Sequence, residues 1–286
     1  MIQLIGTIAC STLLFLLFRF FPKYKIDTAQ AIVFNYFTAF ICGAIISKTS
    51  PSLSGLIASN LFYWILLCGT LFISIFIAMG ISSQKNGMGK TSVAVKMSLA
   101  LSAMAFVFLY DESITLLKIG GLLLTIVGIV MITRDKNEEE TANNSTWLLV
   151  LIFFGSAGLD ITLNVIKQKI ANGYPDELFT AFGFLAAGLI GIIWLIVQLL
   201  RKKEQFKWRN VFAGIILGIP NYFSIFFLVQ AYEKTSWSDS TVLALMNSSI
   251  VALAALIGML IFKESKHVQK IIGLIVVILA IIGLTF

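Results

Sequence analysis

Asp160 is the residue in this 286-residue sequence whose chemistry most needs an account. It stands about 20 Å along an apolar segment, 147–170, at ~1.5 Å per residue, past the middle of a ~30 Å hydrocarbon layer. A charge at such depth costs roughly 2.5–3.5 kcal/mol on insertion scales. Ser156, Asp160, Asn164 and Lys167 recur at helical spacing and form one polar face. A solute path, with Asp160 as a proton-coupling group, is one reading of that face. A buried carboxyl hydrogen-bonded to a neighbouring helix is the other. Lys96 is the second charge inside an apolar segment. It lies ~9 Å from the segment's start, so it either faces the same cavity or snorkels to the interface. If it faces the cavity, an anionic or zwitterionic solute is favoured.

Other polar groups sit where apolar residues are the rule. Pro220 interrupts the backbone bonding of its helix, and in a membrane the freed carbonyl must face protein or cavity water. Asn221 and Tyr222 beside it are candidate solute contacts, as are Asn247, Ser248 and Ser92. Hydrogen bonds between helices, averaging ~0.6 kcal/mol, explain these residues equally well. No HExxH, GxSxG or P-loop occurs, and Asp111-Glu112 reads as a solvated turn. An enzyme is therefore not expected. Cys10, Cys42 and Cys68 lie in apolar runs as packed free thiols. A single histidine, His267, excludes a histidine-built metal site. Neither metal nor cofactor is expected.

The elements that position these groups follow from composition. Hydrophobic residues are 58% and charged residues 12%, against some 45–50% and ~25% in soluble domains. Ten apolar segments, about 2–20, 29–47, 61–82, 91–110, 114–133, 147–170, 178–200, 210–232, 240–262 and 267–285, meet the length rule for spanning helices. The sequence predicts an all-α polytopic membrane protein, with the first segment retained as a helix and no alternating barrel pattern. Trp64, Trp147, Trp194, Trp208 and Trp237 fall near segment ends, as interfacial anchors do.

A polar linker, 135–145, divides two groups of five helices, 1–134 and 146–286. Shifting by 149 residues places Gly6 on Gly155, Gly69 on Gly218 and Lys85 on Lys234. After a three-residue slip, Glu112-Ser113 falls on Glu264-Ser265 and Gly121 on Gly273. Five is odd, so the second group enters from the opposite face. Ten transmembrane helices thus form two inverted five-helix repeats, an arrangement of transporters with midplane sites. Fifteen Lys/Arg fall in alternate loops beginning with the first, and five in the others. Positive charge stays inside, which puts both termini outside a cell (inner) membrane. The net charge of +7 is thereby spent on topology, and no nucleic-acid partner is expected. Gly214 and Gly218, and the stripe Gly183-Ala187-Gly191, suit close packing within the chain or, alternatively, a dimer contact. Either a monomer or a homodimer fits.

The sequence resembles the EamA-like family of the drug/metabolite transporter superfamily. The resemblance rests on Ala254-Ala255, Gly258, Phe262-Lys263-Glu264-Ser265 and Gly273, on Tyr110-Asp111-Glu112-Ser113 with Gly120-Gly121, and on Gln230–Ser236. Two features depart from it: 90–110 and 238–262 lack proline, and Asp111 and Lys263 replace the glycine before the turn glutamate. It implies a cavity lined by helices 1, 3, 4, 6, 8 and 9, and it implies export. Related four-helix multidrug transporters carry a membrane-embedded glutamate in their first helix. The equivalent repeat positions here are Ser11 and Asp160, so a proton site would be asymmetric. The expected function is secondary transport of small organic metabolites by alternating access, with or without protons. The alternative is a non-transporting membrane protein, such as a lipid-handling or sensory scaffold.

Overall fold

A computed structural model describes residues 2–21, 23–47, 60–86, 88–111, 115–133, 145–170, 175–201, 205–260 and 268–285. Ten α-helices occur among the described residues. They are α1 (Ile2–Phe20), α2 (Thr28–Ile46), α3 (Leu61–Asn86), α4 (Met88–Tyr110) and α5 (Leu116–Thr133). The second five are α6 (Thr146–Val165), α7 (Asp176–Leu200), α8 (Trp208–Lys234), α9 (Asp239–Leu260) and α10 (Val268–Thr285). A π-helical turn, Ile166–Ile170, extends α6. The ten apolar segments and the ten helices coincide. Residues 135–144 of the linker, the turn pairs Glu112-Ser113 and Glu264-Ser265, and His267 lie outside the described residues.

Length and composition qualify five of these helices as membrane spans: α2, α3, α6, α7 and α8. The others carry shorter apolar stretches, such as Ala94–Tyr110 in α4 and Asp239–Ala254 in α9. The sequence expectation of ten spans is thus met as ten helices, five of which satisfy the span criterion among the described residues.

The helices group into two compact units, each drawing on both halves of the sequence. One unit contains residues 2–77 and 162–233. In it α2 packs along α7, and α8 approaches α2 at backbone distance. A Cβ on Gly214 would stand 2.5 Å from the Ala31 carbonyl oxygen, and one on Gly218 would stand 2.5 Å from Thr38 Cβ. The GxxxG pair therefore serves packing inside this chain. In the α7 stripe Gly191 abuts Ile73 and Val33, while Gly183 has nothing within 4 Å of its missing side chain. The tight α3–α7 contact falls instead at Gly69, where a Cβ would meet Ala186 Cβ at 2.5 Å. Tyr36 centres the aromatic packing, stacked on Phe184 at 5.8 Å and edge-on to Phe76 at 6.1 Å.

Both ends of α8 are pinned. Asp27 caps α2 by accepting the Gln30 N–H, and its own N–H donates to Asn210 Oδ1 at 3.0 Å. Asn210 Nδ2 donates to Gln30 Oε1, and Gln30 Nε2 donates to the Gln205 carbonyl. Asn210 and Gln30 are fully buried, and such a network stabilises only when its members are satisfied together.

The other unit contains residues 78–161 and 234–286. There α5 packs along α10, and α9 packs on α4, α5 and α10. Its closest approach is at Gly128, whose Cβ would lie 2.5 Å from Val277 Cγ2. Ile129, Val251, Ala252 and Val277 form the apolar core beside it.

Gly218→Leu should lower stability by about 1–3 kcal/mol, the usual cost of overpacking. Gly120→Ala, where nothing lies within 4 Å, should leave it unchanged or raise it by roughly 0.5–1 kcal/mol. Thermal unfolding of both variants in detergent measures the contrast.

Candidate functional site

Asp160 and Lys96 belong to the second unit described, and each is held by a neutral side chain. On α6, Trp147, Leu151 and Phe154 are exposed, and Asp160 lies about 120° around the helix from Phe154 at ~100° per residue. Ser102 of α4 donates to Asp160 Oδ2 at 3.2 Å. The same hydroxyl lies 3.1 Å from the Ser98 carbonyl oxygen. A serine has one proton to give, so these acceptors compete for it. Lys96 Nζ donates to Asn247 Oδ1 of α9 at 3.0 Å. Its ammonium is therefore held at a neighbouring helix. Both residues retain accessible surface, whereas Ser156 is buried.

Ser248 is fully buried, donating to the Ala244 carbonyl at 2.7 Å with Thr125 Oγ1 at 3.2 Å. It ties α9 to α5. Ser92 lies on α4, but its side chain is outside the described residues. This unit thus pairs the sequence candidates Lys96 and Asn247 and pairs Asp160 with Ser102, the partner that sequence reasoning missed. A serine in an apolar helix ordinarily bonds back to its own preceding turn; only the fold shows that Ser102 also faces a carboxylate.

The remaining candidates fall in the first unit. Asn164 is fully buried at the end of α6, and Ser11 is half-buried on α1. Pro220 lies inside α8, which continues through it. Asn221 is buried, and Tyr222 is enclosed where α2, α7 and α8 meet, its ring stacked on Phe226 at 5.6 Å. The bareness of Gly43 makes room for Tyr222, since a Cβ there would stand 2.7 Å from its ring. The hydroxyls of Tyr36 and Thr180 and the Asn35 Oδ1 are buried without a hydrogen-bond partner in this unit.

Lys167 sits in the π-helical turn that follows Val165. Its ammonium pairs with Asp176, the first residue of α7, and with Glu233 near the end of α8 at 3.0 Å. Gln168 next to it donates to the Tyr232 carbonyl at 3.4 Å. The ends of three helices are thereby joined. Among the described residues no cluster of three metal-ligating side chains occurs.

Comparison with known proteins agrees with this architecture. Residues 146–286 match the model of the EamA-like transporter family. An uncharacterized protein of Haemophilus influenzae is 29% identical, covering 99% of this chain and 97% of its own length. An uncharacterized transporter of Clostridium kluyveri is 25% identical over 76% of this chain and 70% of its own. A crystal structure with 14% identity superposes with a TM-score of 0.77, over 99% of this chain and 96% of that one. That likeness establishes a shared fold.

Lys167 and Asp176 are 9% and 10% exposed, while Glu233 is 53% exposed. Lys167→Met, which strands a buried carboxylate, should cost about 3–5 kcal/mol. Glu233→Gln should cost under about 1 kcal/mol, as surface pairs do. Unfolding in detergent compares the two directly.

Proposed function

We propose that this multi-pass membrane protein, whose residues 146–286 match the EamA-like transporter family model, is a secondary transporter of small organic metabolites. It works by alternating access between two inverted five-helix repeats, with export as the direction the family resemblance implies. The repeat reading is supported by packing. The two most extensive helix pairings join equivalents in the two halves, α2 with α7 and α5 with α10.

The observation that carries the proposal is a cation and a carboxylate held on neutral partners within one unit, Lys96 on Asn247 and Asp160 on Ser102. Neutral donors and acceptors can be exchanged for those of a solute at little cost, since both sides of the exchange make hydrogen bonds. Fixed charges of both signs suit a solute that carries both, or one that travels against a proton.

The Ser102 hydroxyl supplies the proton logic. With Asp160 ionised, Ser102 donates to the carboxylate. With Asp160 protonated, the carboxyl donates to Ser102 Oγ, and the serine proton turns to the Ser98 carbonyl. Lys96 stands on the same helix as Ser102. Proton binding at Asp160 is in this way transmitted to α4.

Flux in proteoliposomes with an imposed pH gradient tests this, after a counterflow screen of amino acids, purines and sugars has identified a solute. Asp160→Asn should abolish flux or its response to the gradient. Ser102→Ala should retain flux and displace its pH profile. Unchanged flux and pH profile in Asp160→Asn overturn the coupling role. Cysteine labelling of the 202–207 loop should occur from the cytoplasmic side only; periplasmic labelling overturns the orientation.

A further inference from the structure

A groove of about 550 Å³ runs between the end of α1 and the first turns of α8. Its floor is packed, with Phe21, Ala213 and Leu217 forming an apolar cluster against Ala31 of α2. One end carries Tyr24 and Arg209, both outward of the apolar run; the other reaches Leu17 and Ile216. Arg209 and Ile216 are seven residues apart on one helix, or about 10 Å at ~1.5 Å per residue. The groove is thus cationic at the helix termini and apolar for two turns inward.

We propose that this groove binds an anionic phospholipid, its phosphate on Arg209 and an acyl chain along Leu17, Phe21, Phe212 and Ile216. Charge complementarity decides the head group. Among the described residues Arg209 is the one charged residue lining the groove, and its planar guanidinium matches phosphate oxygens in bidentate geometry. Lys23, Lys25 and Lys207 flank the same end and are exposed, with Lys23 Nζ 5.9 Å over the Tyr24 ring. The neighbouring acid, Asp27, faces away toward the Gln30 N–H that it caps. A phosphate at this end therefore has several positive charges near it, as basic clusters at anionic lipid surfaces do. Depth decides the rest. Trp208, 70% exposed, and Tyr24, 61% exposed, mark the level at which aromatic side chains meet head groups. Phe212 and Ile216, exposed on α8, lie where chains begin. A soluble anion would use the cations and leave the apolar run empty. The inference does not depend on what the protein transports.

Native mass spectrometry of the full chain, titrated with phosphatidylglycerol and with phosphatidylcholine of the same acyl chains, tests the site. The wild type should hold one phosphatidylglycerol roughly tenfold more tightly than phosphatidylcholine, as a charge-assisted contact gives. Arg209→Gln should bring the two lipids within about twofold. Ile216→Trp, which fills the exposed run and keeps the charge, should weaken both. Arg201→Gln, a surface cation outside the groove, should change neither. Gel filtration of each variant checks that the fold is retained. Equal retention of the two lipids by the wild type overturns the proposal. So does preference unaltered by Arg209→Gln, an Arg201→Gln loss equal to it, or protection of the groove by a second copy of the chain.

Discussion

The contact of α8 with α2 is a contact between two backbones. Where Gly214 and Gly218 meet Ala31, Asn35 and Thr38, even a methyl group has no room. In lipid this matters more than it would in water, because hydrocarbon outside a helix pair is as apolar as the side chains within it. Nothing squeezes helices together, and association depends on dispersion between closely matched surfaces and on polar groups with few other partners. The bare glycines allow the first. The network of Asp27, Gln30, Asn210 and Gln205 at one end of α8, and Lys167 with Asp176 and Glu233 at the other, provide the second. One helix is fastened at both termini and pressed flat in between. The aromatic stack around Tyr36 and the enclosed Tyr222 are built on that geometry.

The other unit is held differently. Its tight approach, Gly128 against Val277, joins α5 to α10 and leaves α4 and α9 bonded through side chains. Ser248 reaches Thr125, and Asn247 receives Lys96. Side-chain hydrogen bonds in membranes are weak, averaging ~0.6 kcal/mol, and can be exchanged. Both units thus combine a glycine-level approach with polar contacts, and Asp160 and Lys96 both fall in the second.

The helices were legible in the sequence because apolar runs of sufficient length have one stable form in a bilayer. Asp160 and Lys96 stood out because charge there is expensive. What one helix read alone could not give was the partner. Ser102 looks like any serine in an apolar run, and its role depends on α6 lying opposite. Regular spacing put Lys167 among the polar residues of its helix, and only the fold shows that its partners are Asp176 and Glu233. Gln30 and Asn210 were passed over because residues at segment ends are expected to be solvated; both are fully buried. The GxxxG pair was read correctly as a close approach, while in the α7 stripe the contact fell at Ala186, opposite Gly69, and not at Gly183. Small residues permit contact without specifying it.

The grouping of helices has a consequence for how the chain is made. Neither compact unit is continuous in sequence: one needs residues 2–77 with 162–233, the other 78–161 with 234–286. Synthesis runs from the N-terminus at ~5–20 residues per second, so α2 enters the bilayer well before α7 and α8, which cover it, exist. The same holds for α5 and α10. For several seconds the glycine-bearing face of α2 is presented to lipid and to other nascent helices, with Gln30 unpaired by Asn210. Biogenesis of this protein is a problem of waiting, and the faces that fit best at the end are the ones left open longest.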